Sequence, residues 1–223
     1  MQNKGVNVFE GFDFEGAAIG YDQKSVPNVL RILSDFDSHA FYNLHGCVDW
    51  QVEEHNVNNL PGYQYFLSTT GIIDNTTATI EIERGKNILL TNIITGQQKV
   101  QRTAISPFRQ MLSAFDIDTH NADKLFIIGY SYSDEHINDI IRNARKYNTN
   151  LEIFLINPVF DDRKFMFEFL SHWGKPKNWI YKNDEVDEIS SPDYGIKIIK
   201  RRFSEYLQKQ SGISNVSLIT RSE

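Results

Sequence analysis

The chain holds a single cysteine in 223 residues. One thiol excludes an intrachain disulfide, and it excludes a multi-cysteine zinc module. Cys47 reads as a small, half-buried side chain rather than a nucleophile, because no base is suggested for it. Basic residues are outnumbered, 23 Lys and Arg against 29 Asp and Glu, giving a net charge of −6. The surface therefore offers no basic footprint for duplex nucleic acid, and direct nucleic-acid binding is not expected. The cluster Lys200, Arg201 and Arg202 falls on an expected helix, where such a run is ordinarily a solvated face. No segment approaches the roughly 18 consecutive apolar residues of a membrane span. The opening MQNKGVNVFEGF has no apolar run of signal-peptide length. The expectation is a cytoplasmic protein with no membrane partner. The P-loop pattern Gly-x-x-x-x-Gly-Lys-Ser/Thr is missing, as is the Gly-x-Ser-x-Gly nucleophile elbow. The histidines form no i, i+4 ligand pattern with one another or with a carboxylate cluster, so no metal is expected.

What is present suits one large domain: 40 % hydrophobic residues and 13 % aromatics can fill a sizeable core. The first 25 residues are mixed and glycine-rich around a short extended piece, VNVF. VPNVLRILSDF carries a short helical stripe at Val29, Leu30 and Leu33. AFYNLHG and VDWQVE follow as short extended pieces with a break at Gly46. YQYFLS, ATIEIE and NILLTNII are rich in β-branched and aromatic residues and are separated by turn chemistry, NLPG, DNTT and RGKN. Residues 47 to 104 thus read as a meander or a loosely ordered, β-rich insertion.

The pattern then changes. SPFRQMLSAF opens with Ser106 as a candidate N-cap and Pro107 at the first helical position. DKLFIIGYS is a continuous apolar run ending in glycine, which predicts a strand buried on both faces, as in a parallel sheet. SDEHINDIIRNARK places Ile137, Ile140, Ile141 and Ala144 at helical spacing. Ser133 is its candidate N-cap, acids begin it, and Arg142, Arg145 and Lys146 end it, in the order the helix dipole favours. LEIFLINP is a second apolar strand, stopped by Pro158. DRKFMFEFLSHW reads as a helix, WIYK as a last short strand, and YGIKIIKRRFSEYLQK as a closing amphipathic helix. Residues 124 to 172 therefore predict a strand–helix–strand unit with parallel strands. In open parallel sheets ligands bind beyond the carboxyl ends of the strands, which here are GYSYSD and INP. Gly129 permits close backbone approach, Ser131 and Ser133 offer hydroxyls, and the following helix offers unpaired N–H groups. The same residues also make an ordinary strand-to-helix turn with a serine cap, and Asn157 before Pro158 carries the same two readings.

His45 lies in FYNLHGCVDW, with Gly46, Cys47 and Trp50 following. A histidine beside glycine is more often a packed ring than a base. Taken in order, however, YNLHGCVDW, ADKLFIIGYSYSDEHINDII and LEIFLINP resemble the sirtuin-like family, most closely its bacterial branch found in anti-phage defence. GVNVFEGF and ISPFRQMLSAF are similar to family material as well, so the resemblance spans most of residues 5 to 160. It implies an α/β fold, a Rossmann-like parallel sheet with flanking helices and a small β-rich insertion. The domain would cover residues 1–210, with the insertion at 47–104, core strand–helix units at 105–172 and a tail at 211–223. By the same resemblance His45 takes the place of the catalytic histidine. Gly129, Tyr130, Ser131 and Asp134 take the place of contacts to the adenosine end of NAD, and Asn157 that of the contact from the next strand. Cys47 stands where the family commonly has serine, and Tyr132 where it commonly has phenylalanine.

Two family segments have no counterpart here: a Gly-Ala-Gly-x-Ser pyrophosphate loop and a Thr-Asn-Tyr-Asp segment. GAAIG at residues 16–20 is no substitute, since no apolar strand leads into it. The resemblance thus implies the C-terminal part of such a fold, completed by a second copy or a partner subunit. The activity implied is hydrolysis of NAD to nicotinamide and ADP-ribose. The alternatives are a non-catalytic module that senses NAD or ADP-ribose or assists assembly, and an NAD-dependent protein deacylase.

Overall fold

The computed structural model describes residues 8–14, 25–55, 63–68, 77–96, 99–159, 170, 180–181 and 188–211. The chain is a mixed α/β protein that divides into two compact units, Met1–Phe115 and Asp116–Glu223. Among the described residues no helix is long and apolar enough to cross a membrane.

The first unit is dominated by short strands. β1 (Val8–Phe9) is followed by β2 (Phe12–Phe14), β3 (Ser25–Pro27), helix α1 (Val29–Ser34), β4 (His39–Ala40), β5 (Trp50–His55) and β6 (Tyr63–Ser68). β1 and β4 pair in parallel. The others form an antiparallel sheet in the order β2-β3-β6-β5. β7 (Thr77–Glu83) and β8 (Lys86–Thr91) form an antiparallel hairpin, turned at Gly85. The strand-forming middle of the chain thus forms hairpins, as its alternating pattern and turn residues predict. α1 forms where a short helix is expected, but the predicted stripe is not its buried face: Leu30 is 80 % exposed and Leu33 38 %, while Ile32 is the buried residue. Asn28 caps it, its Oδ1 accepting from the Arg31 N–H at 2.9 Å. α2 (Lys99–Thr103) and α3 (Phe108–Asn121) complete the unit and carry the chain into the next. The expectation that Ser106 caps α3 is corrected. Helical structure begins at Phe108, and a cis peptide joins Ser106 to Pro107.

A core of Phe9, Ile32, Trp50, Val52, Ile94, Phe108, Met111 and Ala114 holds this unit. The Trp50 ring stands 5.5 Å from that of Phe108 and 4.9 Å from that of Phe12. Leu44 and Cys47 pack against the same core. Burial of these aromatics is the main stabilising contribution.

The second unit is built on β9 (Lys124–Ile128), α4 (Glu135–Tyr147) and β10 (Glu152–Ile156), followed by β11 (Ile180–Tyr181), β12 (Glu188–Ser191), β13 (Ile196–Ile199) and α5 (Phe203–Ser211). β9, β10 and β13 are parallel, while β11 and β12 extend the sheet in antiparallel fashion; the order is β11-β12-β13-β10-β9. β9 and β10 are joined through α4, as the sequence pattern predicts. Ile153 and Leu155 are fully buried, and Ile137, Ile141 and Ala144 of α4 are buried as well.

Four expectations are corrected here. The run expected to be buried on both faces, β9, is not: Phe126 and Ile128 remain 44 % and 45 % exposed. β9 lies at the end of the sheet among the described strands, so it lacks the neighbour that would cover it. Residues 196–199, read as part of a helix, are instead β13, paired to Ile153–Ile156. Lys200, Arg201 and Arg202 consequently lie between a strand and a helix rather than on one. WIYK supplies a strand at Ile180–Tyr181, but it is not the last, because β12 and β13 follow. The helix expected at DRKFMFEFLSHW lies outside the described residues apart from Leu170, which is fully buried.

Candidate functional site

In the first unit the chain leaves β4 and turns over residues 43–46, the Gly46 N–H donating to the Asn43 carbonyl at 2.9 Å. AFYNLHG is therefore extended only at its start, and His45 sits in a turn rather than a strand. The turn is pinned to the stretch after β8. The Ile94 N–H donates to the His45 carbonyl at 2.8 Å, and the Cys47 N–H donates to the Asn92 carbonyl at 3.1 Å. Gly46 has φ +88°, and a Cβ there would lie 1.9 Å from the Asn92 carbonyl oxygen. Only glycine allows that approach. Leu44 and Cys47 anchor the turn in the core on either side, while Trp50, 3 % exposed, belongs to that core. The His45 ring is half-buried on this fixed backbone. The Cys47 thiol reaches the Asp49 carboxylate, Sγ to Oδ2 3.7 Å.

Asn92 is a residue that sequence reading passed over. It is 1 % exposed, and its Oδ1 has no hydrogen-bond partner among the described residues. Buried amide oxygens are rarely left so. Its position in TNIITG, an ordinary strand exit, gave no signal, because its importance comes from the chain brought against it.

In the second unit the carboxyl ends of β9 and β10 lie side by side: Ile128 is in register with Ile156, and the Gly129 N–H donates to the Ile156 carbonyl at 3.1 Å. Gly129 has φ +63° and is exposed, with nothing within 4 Å of where a Cβ would stand. The backbone at this strand end is thus open to close approach. Ser131 and Ser133 are both exposed, their hydroxyls 2.5 Å apart. The predicted N-cap is shifted by one residue: Asp134 occupies that position, without a capping bond from its side chain. The N–H groups at the start of α4 are therefore not all claimed by a cap, which suits an anion or hydroxyl ligand.

The two tyrosines of GYSYSD serve the loop itself. The Tyr130 hydroxyl lies 3.0 Å from both the Asp134 carbonyl and Asn138 Oδ1. Tyr132 is 6 % exposed, has φ +60°, and its ring lies 5.1 Å from that of Tyr130. Burial pushes both phenols well above the ordinary tyrosine pKa, with Asp134 adding to the effect at Tyr130 and Tyr130 itself at Tyr132. Both remain neutral donors. Asn138, fully buried, locks the loop by donating from Nδ2 to the Tyr132 carbonyl at 2.7 Å. Sequence reading placed Asn138 on the helix without this role. A non-glycine residue at positive φ is a sign of a loop held by its surroundings, and Asn138 supplies much of that hold.

Asn157 closes the end of β10. Its Oδ1 accepts from the Val159 N–H at 3.0 Å, and its own N–H donates to the Ile199 carbonyl at 3.1 Å. The side chain therefore shapes the turn into Pro158 and has its Nδ2 left as a donor. The structure brings Gly129, Tyr130, Ser131, Asp134 and Asn157 to one end of one sheet, while His45 stands on the pinned turn of the other unit. Among the described residues no group of three His, Cys, Asp or Glu side chains is placed to hold a metal ion. No protein-family model matches this chain, and no curated protein matches it either.

Proposed function

We propose that this chain is a sirtuin-like NAD-binding protein, with a Rossmann-like arrangement of its parallel strands, that hydrolyses NAD to nicotinamide and ADP-ribose in the manner of bacterial anti-phage systems. The observation that carries it is the end of β9. Gly129 holds a positive φ under open space, directly before two exposed serine hydroxyls and a helix start without a side-chain cap. A ribose or phosphate oxygen would find donors there, and Asn157 at the adjacent strand end adds a further amide.

In the reaction the bond from the ribose anomeric carbon to the nicotinamide nitrogen breaks. Nicotinamide leaves with the bonding pair, which neutralises its pyridinium charge. Water then forms the new carbon–oxygen bond and loses one proton. His45 is the base of this scheme: its imidazole takes a ribose hydroxyl proton as positive charge builds on the sugar and passes it to solvent, and the proton lost by the attacking water restores that hydroxyl, so one proton is released in all. The pinned backbone at Gly46 supports that role, because a base held in place loses no entropy in reaching its proton. A partner strand belongs to the same proposal. The outer edge of β9 carries no ladder among the described residues and exposes Phe126 and Ile128 beside it. Such an apolar edge suits a second copy or a partner subunit.

The experiment is nicotinamide release from NAD by wild type, His45→Ala and Ser131→Ala. Loss of the base should lower turnover about 100-fold or more while leaving ADP-ribose affinity within about twofold. Ser131→Ala should weaken ADP-ribose binding with the fold intact. Binding without any release by wild type would favour a nucleotide sensor, and full turnover by His45→Ala would remove the assigned base.

A further inference from the structure

The opposite end of the second unit's sheet holds a separate pocket of about 340 Å³, lined by Arg145, Lys146, Thr149, Asp193 and Tyr194. Arg145 and Lys146 lie in the last turn of α4 and Thr149 follows it before β10, while Asp193 and Tyr194 precede β13. The pocket therefore sits at the amino ends of the parallel strands. β10 alone separates it from Asn157 by about 17 Å, at about 3.3 Å per residue.

Arg145 is built into this pocket. Its Nε donates to the Tyr194 carbonyl at 2.6 Å, and one terminal nitrogen reaches the Asn148 carbonyl at 3.4 Å. The guanidinium lies over Gly195, whose φ is +62°; a Cβ there would come within 2.9 Å of Nε. Gly195 thus leaves the room that the planar group occupies. Both bonds go to neutral carbonyls, and among the described residues no carboxylate pairs with Arg145 or Lys146. Arg142, one turn earlier, is the internal comparison. Burial disfavours its charge, but Asp139 and Glu135 outweigh that. Arg145 has burial without the offset, which pulls its pKa below the ordinary arginine value. Basic residues in the last turn of a helix complement its dipole, and that accounts for their sign. It does not account for a fixed, partly desolvated guanidinium beside an open cavity with a neighbouring ammonium and a hydroxyl.

We propose that this pocket binds a small phosphorylated molecule, with the phosphate held by Arg145, Lys146 and Thr149. Arginine's planar fork offers paired N–H donors to phosphate oxygens, lysine adds a point charge, and threonine adds a hydroxyl donor. The volume exceeds what a phosphate fills and lies within the range of small-molecule sites, so a body of sugar size fits beside it. Asp193 lines the same pocket and is itself engaged in another interaction. This second site is independent of the strand-end crevice and of the NAD chemistry assigned to it.

The test uses the full chain with inorganic phosphate and ribose 5-phosphate as probes, read by titration calorimetry. Wild type should bind at least one of them saturably. Lys146→Gln, which removes an exposed charge and no described hydrogen bond, should weaken binding about tenfold, the equivalent of one charge-assisted contact. Arg145→Gln should weaken it further; if that variant is unfolded by circular dichroism, Lys146→Gln and Thr149→Val still decide. Ser131→Ala should leave affinity within twofold. No binding of either probe, or binding unchanged in Lys146→Gln and Thr149→Val, overturns the proposal. Binding lost in Ser131→Ala alone also overturns it, because the probe would then sit at the start of α4.

Discussion

Gly46 and Gly85 share a backbone conformation and differ in what surrounds them. Both have positive φ, +88° and +79°, but a Cβ at Gly46 would meet the Asn92 carbonyl oxygen at 1.9 Å, while one at Gly85 would meet nothing within 4 Å. An alanine at either site carries the strain of a left-handed residue, about 1 kcal/mol or somewhat more. At position 46 it must also displace backbone that is held by the Cys47–Asn92 and Ile94–His45 bonds. Gly46→Ala should therefore cost about 3 kcal/mol or more in denaturant unfolding, against about 1 kcal/mol for Gly85→Ala. Equal costs would show that the turn yields freely and that His45 is not held by it. Of this arrangement the sequence disclosed the break at His45–Gly46 and no more. The partner that makes glycine obligatory is Asn92, 46 positions away, and nothing local in TNIITG points to it. Tyr130 carries the same lesson. Its hydroxyl is engaged by Asn138, eight positions on, which nothing local in GYSYSD discloses.

Among the elements, β9, α4 and β10 were legible because their signals are local and redundant. Two continuous apolar runs flank a stripe of Ile137, Ile141 and Ala144, and the strands pair as such a unit must. β13 was not. Ile196, Ile198 and Ile199 fit a helical stripe as well as a strand, and they run on toward a real helix, α5. Pairing to β10 settles the matter, and that partner is more than 40 residues away. Within α4, the buried Arg142 shows how an element tolerates a charge. Its side chain is 4 % exposed, whereas Glu135 and Asp139, which both pair with it, are 58 % exposed. Removing the arginine leaves two carboxylates that water can solvate. Removing both acids leaves a guanidinium that water reaches poorly. Arg142→Met should thus cost about 1 kcal/mol, and Glu135→Ala with Asp139→Ala about 3 kcal/mol, measured by chemical denaturation near neutral pH. The reverse order would mean that Arg142 is held by packing of its stem rather than by its charge.

For the molecule as a whole, the proposed chemistry draws on two compact units, and this division makes its parts separable by experiment. Gly129, Ser131 and Asn157 share one sheet end, and His45 belongs to the unit held together by Trp50 and Phe108. A nucleotide held at the strand ends must slow local opening there. At ten times its Kd a ligand that binds only the closed state slows opening about tenfold. Amide hydrogen exchange of the full chain with ADP-ribose should therefore show about tenfold slower exchange at the amides of residues 129–135 and 157. The protection should persist in His45→Ala and vanish in Ser131→Ala. The hairpin β7–β8 serves as the internal reference and should be unchanged. If ADP-ribose protected the hairpin instead, or protected residues 129–135 equally in Ser131→Ala, the strand ends would not be where the nucleotide sits. His45 would then have no substrate to act on by this route, however firmly Gly46 holds its turn.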